Sequence, residues 1–280
     1  RMCRHKETGM KDSEMRDGKK SDLEFLVITF HTDEGLSSST FGFAGRGAAM
    51  AGEIANSIFK PFFIGRDPLY REKHWHEYRT ADRWWNHAPI YSYGPFDINC
   101  WLLSSMKAEQ PLYKYLGAYR DSVPIYGSSL VLSSPDAYAK EALEYQKRGF
   151  NAYKLHPPGN YDFDLEAHKA VRKAVGDDFK LMSDPVAPYT FEQALRFGRE
   201  LEKLNYYWYE EPLFDENFHN LRELTRILDI PIVGTEVLAK HPYSVAECIS
   251  TRVVDVVRAD PSWSGGITAT MKTAHLAESF

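Results

Sequence analysis

Three carboxylates, Asp184, Glu210 and Glu236, follow one another at equal intervals of 26 residues in the second half of the chain. Each closes a short apolar run: "FKLMSD", "YYWYEEP", in which Glu211 stands beside Glu210, and "PIVGTE". Upstream, "NAYKLHPP" at 151–158 ends a similar run with Lys154 and His156 two apart. Residues two apart on a strand share a face, so these two basic groups would point the same way, toward something negative. Three ionised carboxylates within a few ångströms of one another repel strongly, and they either take up protons or bind a cation. Hard oxygen donors that leave room for water and substrate suit Mg2+. Lys154 and His156 would then face this anionic centre and a substrate carboxylate bound there. One acidic residue at a strand end is commonly a helix cap or a loop charge; three in register on successive strands form a different pattern.

Such groups must be positioned by strands, and the chain supplies them in a regular series. From Val123 onward, apolar runs at 123–132, 152–156, 180–184, 206–210, 231–236 and 253–260 alternate with amphipathic segments at 135–148, 164–175, 191–204, 218–228, 242–250 and 266–279. Each unit is the size of a βα repeat. Six such units predict an α/β fold with a parallel sheet, and their regularity favours a (β/α)-barrel of TIM type over a doubly wound sheet. No glycine-rich dinucleotide fingerprint follows any strand; "FGFAGRG" at 41–47 lacks the spacing. In such a barrel the reactive groups sit at the C-terminal strand ends, where these residues fall. The sixth run, "VVDVVRAD", adds Asp260, which together with the proline after it also reads as a turn. Glu211, on the opposite strand face from Glu210, is expected to make a hydrogen bond or ion pair behind the strand.

Residues 1–120 read as a small N-terminal α+β unit, and 121–280 as the barrel domain with its first six βα units. In the former, "LEFLVITFHT" at 23–32 predicts a strand, "DEG" at 33–35 a turn, and "SSSTFGFAGRG" at 37–47 a loop or irregular strand. Helices are expected near 47–60, 67–83 and 94–108. The aromatic residues of 60–120 read as helix-packing rings, with the lining of a substrate pocket as the alternative.

The 280 residues, 43% hydrophobic and 26% charged, suit a globular protein with one large domain or a large one and a smaller companion. A formal net charge of −5 with scattered Lys and Arg argues against nucleic acid or an anionic membrane as partner. "DGKK" at 17–20 reads as a solvated loop, and the polar N-terminal stretch lacks a signal-peptide core. Cys3, Cys100 and Cys248 have neither disulfide nor metal-site spacing, which fits a reducing, cytoplasmic setting. No apolar run reaches the roughly 18 residues of a membrane span.

These residues together resemble the enolase superfamily, and within it the mandelate-racemase-like subgroup. "PFDINCWLLSSMKAEQPLYKYLG" at 95–117 resembles the last capping helix and the link into the barrel. "YKLH" stands where the subgroup has a Lys-x-Lys motif, "SDP", "YEEP" and "GTE" where it has three metal carboxylates, and "RADPSWSGGIT" resembles its sixth strand. The resemblance implies that Mg2+ binds the carboxylate of a small acid and a base removes the α-proton. The enediolate is then reprotonated, or expels a β-hydroxyl. By position, Asp184, Glu210 and Glu236 would bind the metal and Lys154 would orient or neutralise the carboxylate. His156 would be the base, and Asp260 would orient a histidine on a seventh strand. A homo-oligomer is also implied.

Three departures from the pattern stand out. The second lysine is a histidine; Val186 replaces a polar residue that often meets substrate; and the chain stops after the sixth unit, so it reads as part of a longer protein. The expected function is Mg2+-dependent dehydration of a sugar acid, an aldonate or aldarate, to a 2-keto-3-deoxy acid. The serine-rich stretch 36–42 is expected to help close over the substrate. A racemase or epimerase of an α-hydroxy acid, a non-catalytic relative, and a metal-dependent aldolase, which the Lys-His pair and capping domain disfavour, are the alternatives.

Overall fold

The computed structural model describes residues 2–3, 25–43, 48–83, 88–236 and 241–280. The expectations for the polar N-terminal stretch, for "DGKK" and for the end of the glycine-rich stretch at 44–47 lie outside the described residues.

The N-terminal part is an antiparallel sheet of β1 (Met2–Cys3), β2 (Phe25–His31) and β3 (Ser37–Phe43). The turn between the last two uses Gly35 at φ +83°, a conformation that glycine adopts without steric cost. The serine-rich stretch is therefore a regular strand and not a loop. Its serines are committed to the sheet and its neighbours: Ser38 Oγ donates to Asn99 Oδ1 at 2.7 Å, and Ser39 pairs with Thr29 at 2.9 Å. Helix α1 (Ala48–Ile54) runs through a π-helical segment, Ala55–Phe59, into α2 (Lys60–Phe63), followed by α3 (Arg71–Asp82), α4 (Ile90–Lys107) and α5 (Leu112–Tyr115). The described rings of this region make its core: Phe59, Phe63, Trp75, Tyr78, Tyr93 and Phe96 are all buried, with Tyr78 and Tyr93 stacked at 4.2 Å. The helix-packing reading of these aromatics holds.

The second part is a parallel sheet of six strands in sequential order: β4 (Gly127–Ser128), β5 (Ala152–Leu155), β6 (Lys180–Ser183), β7 (Trp208–Glu210), β8 (Ile232–Gly234) and β9 (Val256–Val257). Between and after them lie α6 (Pro135–Lys147), α7 (Tyr161–Val175), α8 (Phe191–Lys203), α9 (Phe218–Ile227), α10 (Pro242–Ser250) and α11 (Gly266–Ala277). Local sequence explains where these helices begin. Ser134, Asn160 and Asn217 accept from backbone N–H groups of the first turn, and Thr190 forms a reciprocal capping box with Gln193.

Strand alternation then sorts the side chains. Tyr153, Leu155, Leu181, Tyr209 and Ile232 pack against Ala167, Val171, Phe197 and Leu201 of the helices in one apolar cluster. The intervening residues Lys154, Met182, Trp208 and Glu210 point to the other face.

The two parts meet along α4 and α11. Gly94 lies so close to the backbone of Ser262 that a Cβ there would stand 2.3 Å from its carbonyl oxygen. Gly265, the residue before α11, supplies no side-chain cap. Asp97 of α4 does so from across the interface, accepting from Thr268 N at 2.9 Å and Thr268 Oγ1 at 2.7 Å, while Trp101 Nε1 donates to Thr268 Oγ1 at 2.9 Å. Asp97→Ala should therefore lower stability by about 2 kcal/mol, the loss of buried charge-assisted hydrogen bonds at a helix start, read as a fall in the urea midpoint at unchanged slope.

Candidate active site

Lys154, His156, Asp184, Glu210 and Glu236 converge at the C-terminal ends of neighbouring strands β5–β8. Lys154 Nζ, 2% exposed, donates to Asp184 Oδ2 at 2.7 Å and to Glu210 Oε2 at 2.9 Å. His156 Nε2 lies 3.0 Å from Asp184 Oδ2. Glu210 also accepts from Trp208 Nε1 at 3.1 Å. A second cation completes the row: Arg258 Nη1, just beyond β9, bridges Glu210 Oε1 and Glu236 Oε2. Cations and carboxylates thus alternate as Asp184, Lys154, Glu210, Arg258, Glu236. Among the described residues, no three His, Cys, Asp or Glu side chains are gathered as a ready-made metal cage; the two cations hold the carboxylates apart.

The donor set nevertheless fits a hard divalent ion. All three groups are carboxylates, and Asp184 Oδ1 is buried with no hydrogen-bond partner. Such an atom costs free energy unless it finds a proton or a cation.

Electrostatics differentiate the groups. Burial alone would push the Asp184 carboxyl up, but the hydrogen bond from His156 and the charge of Lys154 hold it below its usual range. Burial works against the Lys154 charge, yet Asp184 and Glu210 raise it above its usual value. Glu236 is raised by burial and by Glu210, with Arg258 pulling the other way. Glu211 is pushed up to about 8, first by burial and then by Asp215, Asp184, Glu236 and Glu210. It therefore holds its proton to higher pH than an ordinary carboxyl. Its Oε1 has no hydrogen-bond partner, so the partner expected behind the strand is not found at that atom, and no ion pair is found for Glu211 among the described residues.

The backbone around the carboxylates is unusual. Val186 (φ +60°) and Ala187 (φ +56°) follow Asp184, Glu211 (φ +41°) follows Glu210, and Thr235 (φ +78°) precedes Glu236. For β-branched Val and Thr the left-handed region is a strained choice, costing of order 1–3 kcal/mol. Hydrogen bonds hold the Thr235 turn. Its N–H donates to Asp215 Oδ1 at 3.2 Å, and its hydroxyl exchanges bonds with the backbone of Arg258, donating to the carbonyl at 2.9 Å and accepting from the N–H at 3.2 Å. His156 is fixed as firmly. Its N–H donates to Ser129 Oγ at 2.8 Å, and Nδ1 lies 2.7 Å from the Ser129 carbonyl. A carbonyl can only accept, so Nδ1 carries a hydrogen there.

Asp260 sits apart in role. Its carboxylate accepts from Ser262 N at 2.7 Å, and its carbonyl accepts from Ser264 N at 2.7 Å, shaping the turn before α11. The sequence reasoning missed Arg258, Asp215 and Ser129. Arg258 had a usable signal: it stands two residues before Asp260 in the sixth apolar run, the same spacing that drew attention to Lys154 and His156. Asp215 and Ser129 had none, because they act through backbone groups brought near by folding. A cleft of about 910 Å3 lies elsewhere, lined by β2 and the segment from Phe63 to Leu69, and includes none of these residues.

Comparison with known proteins places this geometry. A family model described as enolase C-terminal domain-like matches residues 137–280. The chain is 31% identical over 250 residues to the arabinonate dehydratase of Saccharolobus solfataricus, covering 85% of this chain and 67% of that protein. It is 29% identical to the L-talarate/galactarate dehydratase of Salmonella typhimurium, covering 96% of this chain and 70% of that protein. The crystal structure of D-glucarate dehydratase from Agrobacterium tumefaciens, complexed with magnesium, superposes with a TM-score of 0.86 at 33% identity, covering 94% of this chain and 72% of that one.

The raised Glu211 carboxyl has a measurable consequence. The folded protein holds this proton when the unfolded chain has released it, so stability should fall as pH rises from the ordinary value of 4.5 to about 8. Glu211→Gln should remove that part of the fall, seen as a flatter profile of urea midpoint against pH.

Proposed function

Because the chain belongs to the enolase C-terminal domain-like family, we propose that it is a Mg2+-dependent hydro-lyase, removing water from an aldonate or aldarate to leave a 2-keto-3-deoxy acid. The observation that carries this reading is the convergence of three carboxylates with a Lys-x-His pair at neighbouring strand ends. The dehydratases that resemble the chain, one of them complexed with magnesium, support it.

Asp184, Glu210 and Glu236 would hold the ion. When bound, Mg2+ withdraws electron density from the substrate carboxylate and so acidifies the neighbouring α-carbon. Lys154 adds a fixed positive charge in a buried setting, where charge stabilisation is strong. His156 is the base. With its Nδ1–H committed to the Ser129 carbonyl, Nε2 is the ring nitrogen left to take the proton; it faces Asp184 Oδ2 at 3.0 Å and would become available once Asp184 is engaged by the ion. The α C–H bond breaks, its proton moves to Nε2, and its electron pair forms a double bond toward the carboxylate carbon. That pair then moves to the α–β bond as the β-hydroxyl departs, taking a proton from the imidazolium as it leaves as water. The resulting enol tautomerises to the 2-keto acid.

A screen of the full-length protein against aldonates and aldarates with Mg2+, detecting 2-keto acids with semicarbazide, should name a substrate. His156→Asn should retain metal binding and lose about 10²–10⁴-fold in turnover, the usual contribution of one general base; full activity in this variant would place the base elsewhere. Glu210→Gln should lose metal binding while its circular dichroism stays that of the wild type. Exchange of the α-proton in D2O without release of a 2-keto acid would point to an epimerase instead.

A further inference from the structure

The two cations between the carboxylates are not equivalent. Lys154 is sealed, 2% exposed and bonded on two sides. It could leave Asp184 and Glu210 only by stranding buried charge. The Arg258 side chain is 34% exposed and touches both Glu210 and Glu236 through one nitrogen. Its Nε and Nη2 donate no hydrogen bond among the described residues. Its backbone, in contrast, is pinned: N–H to the Gly234 carbonyl at 2.8 Å, with Thr235 Oγ1 bonded to both its N–H and its carbonyl. The guanidinium is thus delivered to one place by a fixed stem, yet it is held to the carboxylates through Nη1 alone.

We propose that Arg258 is a displaceable internal counter-ion that competes with the divalent cation for Glu210 and Glu236. This inference rests on the metal-site reading above. The oxygens that Arg258 bridges belong to two of the three carboxylates that would hold the ion, and a guanidinium and a divalent cation cannot share them without strong repulsion. In the absence of metal, Arg258 leaves the cluster of three carboxylates and two cations about one charge negative, which spares the fold the cost of unpaired carboxylates. When metal binds, Arg258 turns outward. The three carboxylates, Lys154 and the ion then sum to about zero, and the freed guanidinium fork supplies a positive charge suited to binding a carboxylate in two-pronged fashion. Metal affinity is then set by exchange of one cation for another and not by filling an empty cage.

Titration of the full-length protein with Mn2+, followed by electron paramagnetic resonance of the free ion, tests this without reference to turnover. Arg258→Gln should bind Mn2+ at least about tenfold more tightly than wild type, since the competitor is gone. In the wild type, phenylglyoxal should modify Arg258 faster with Mn2+ bound than without, read by peptide mass spectrometry; this arm needs no variant and holds even if Arg258→Gln fails to fold. Equal or weaker affinity in the variant, or unchanged or slower modification in the wild type, would overturn the role of Arg258 while leaving the metal site intact. Absence of Mn2+ binding by the wild type at any concentration would overturn the metal-site reading and this inference together.

Discussion

The mutual repulsion of Asp184, Glu210 and Glu236 is the constraint around which the barrel end is organised. Each closes a buried strand of a parallel sheet, where water screens poorly and like charges repel most. The structure resolves the conflict by interleaving: Lys154 between the first two carboxylates, Arg258 between the last two. Glu211 shows what happens without such a partner. It is the immediate neighbour of Glu210 but is buried beside Asp215 with no ion pair among the described residues, and burial, followed by the surrounding carboxylates, pushes it up to about 8. Adjacent residues of one type thus meet different surroundings because the strand turns them to opposite sides.

Holding three carboxylates on one rim also makes demands on the backbone. Val186, Ala187, Glu211 and Thr235 all adopt left-handed conformations beside the carboxylates. Such residues persist only where the surroundings over-determine them. Around Thr235 those surroundings are visible: Asp215 on its N–H and the Arg258 backbone on its hydroxyl. The same bonds that force Thr235 into its turn fix the stem of Arg258, so the geometry of Glu236 and that of its counter-ion are coupled through one side chain. Farther out, Asp97 caps α11 from the capping helix α4, which ties the N-terminal helices to the end of the sixth βα unit and to the turn that Asp260 shapes.

Much of this was legible in the sequence because it depends on local periodicity. Alternation along "YKLH" places Lys154 and His156 on the face opposite Tyr153 and Leu155 whatever the rest of the chain does, and a repeat of 26 residues brings three carboxylates to equivalent strand ends in any regular βα array. The helix starts at 135 and 191 were likewise legible, whereas the segment read from 164 begins at Tyr161, behind the Asn160 cap. Tertiary structure decided what lies across gaps that no local pattern spans. That Arg258 meets Glu210 and Glu236, that Ser129 sets the tautomer of His156, that Glu211 lies beside another carboxylate, and that the serine-rich stretch becomes a buried-edge strand against Asn99 all follow from how separate strands and helices approach. A side chain's face is a property of its own strand; its partner, and so its charge, is a property of the neighbouring one.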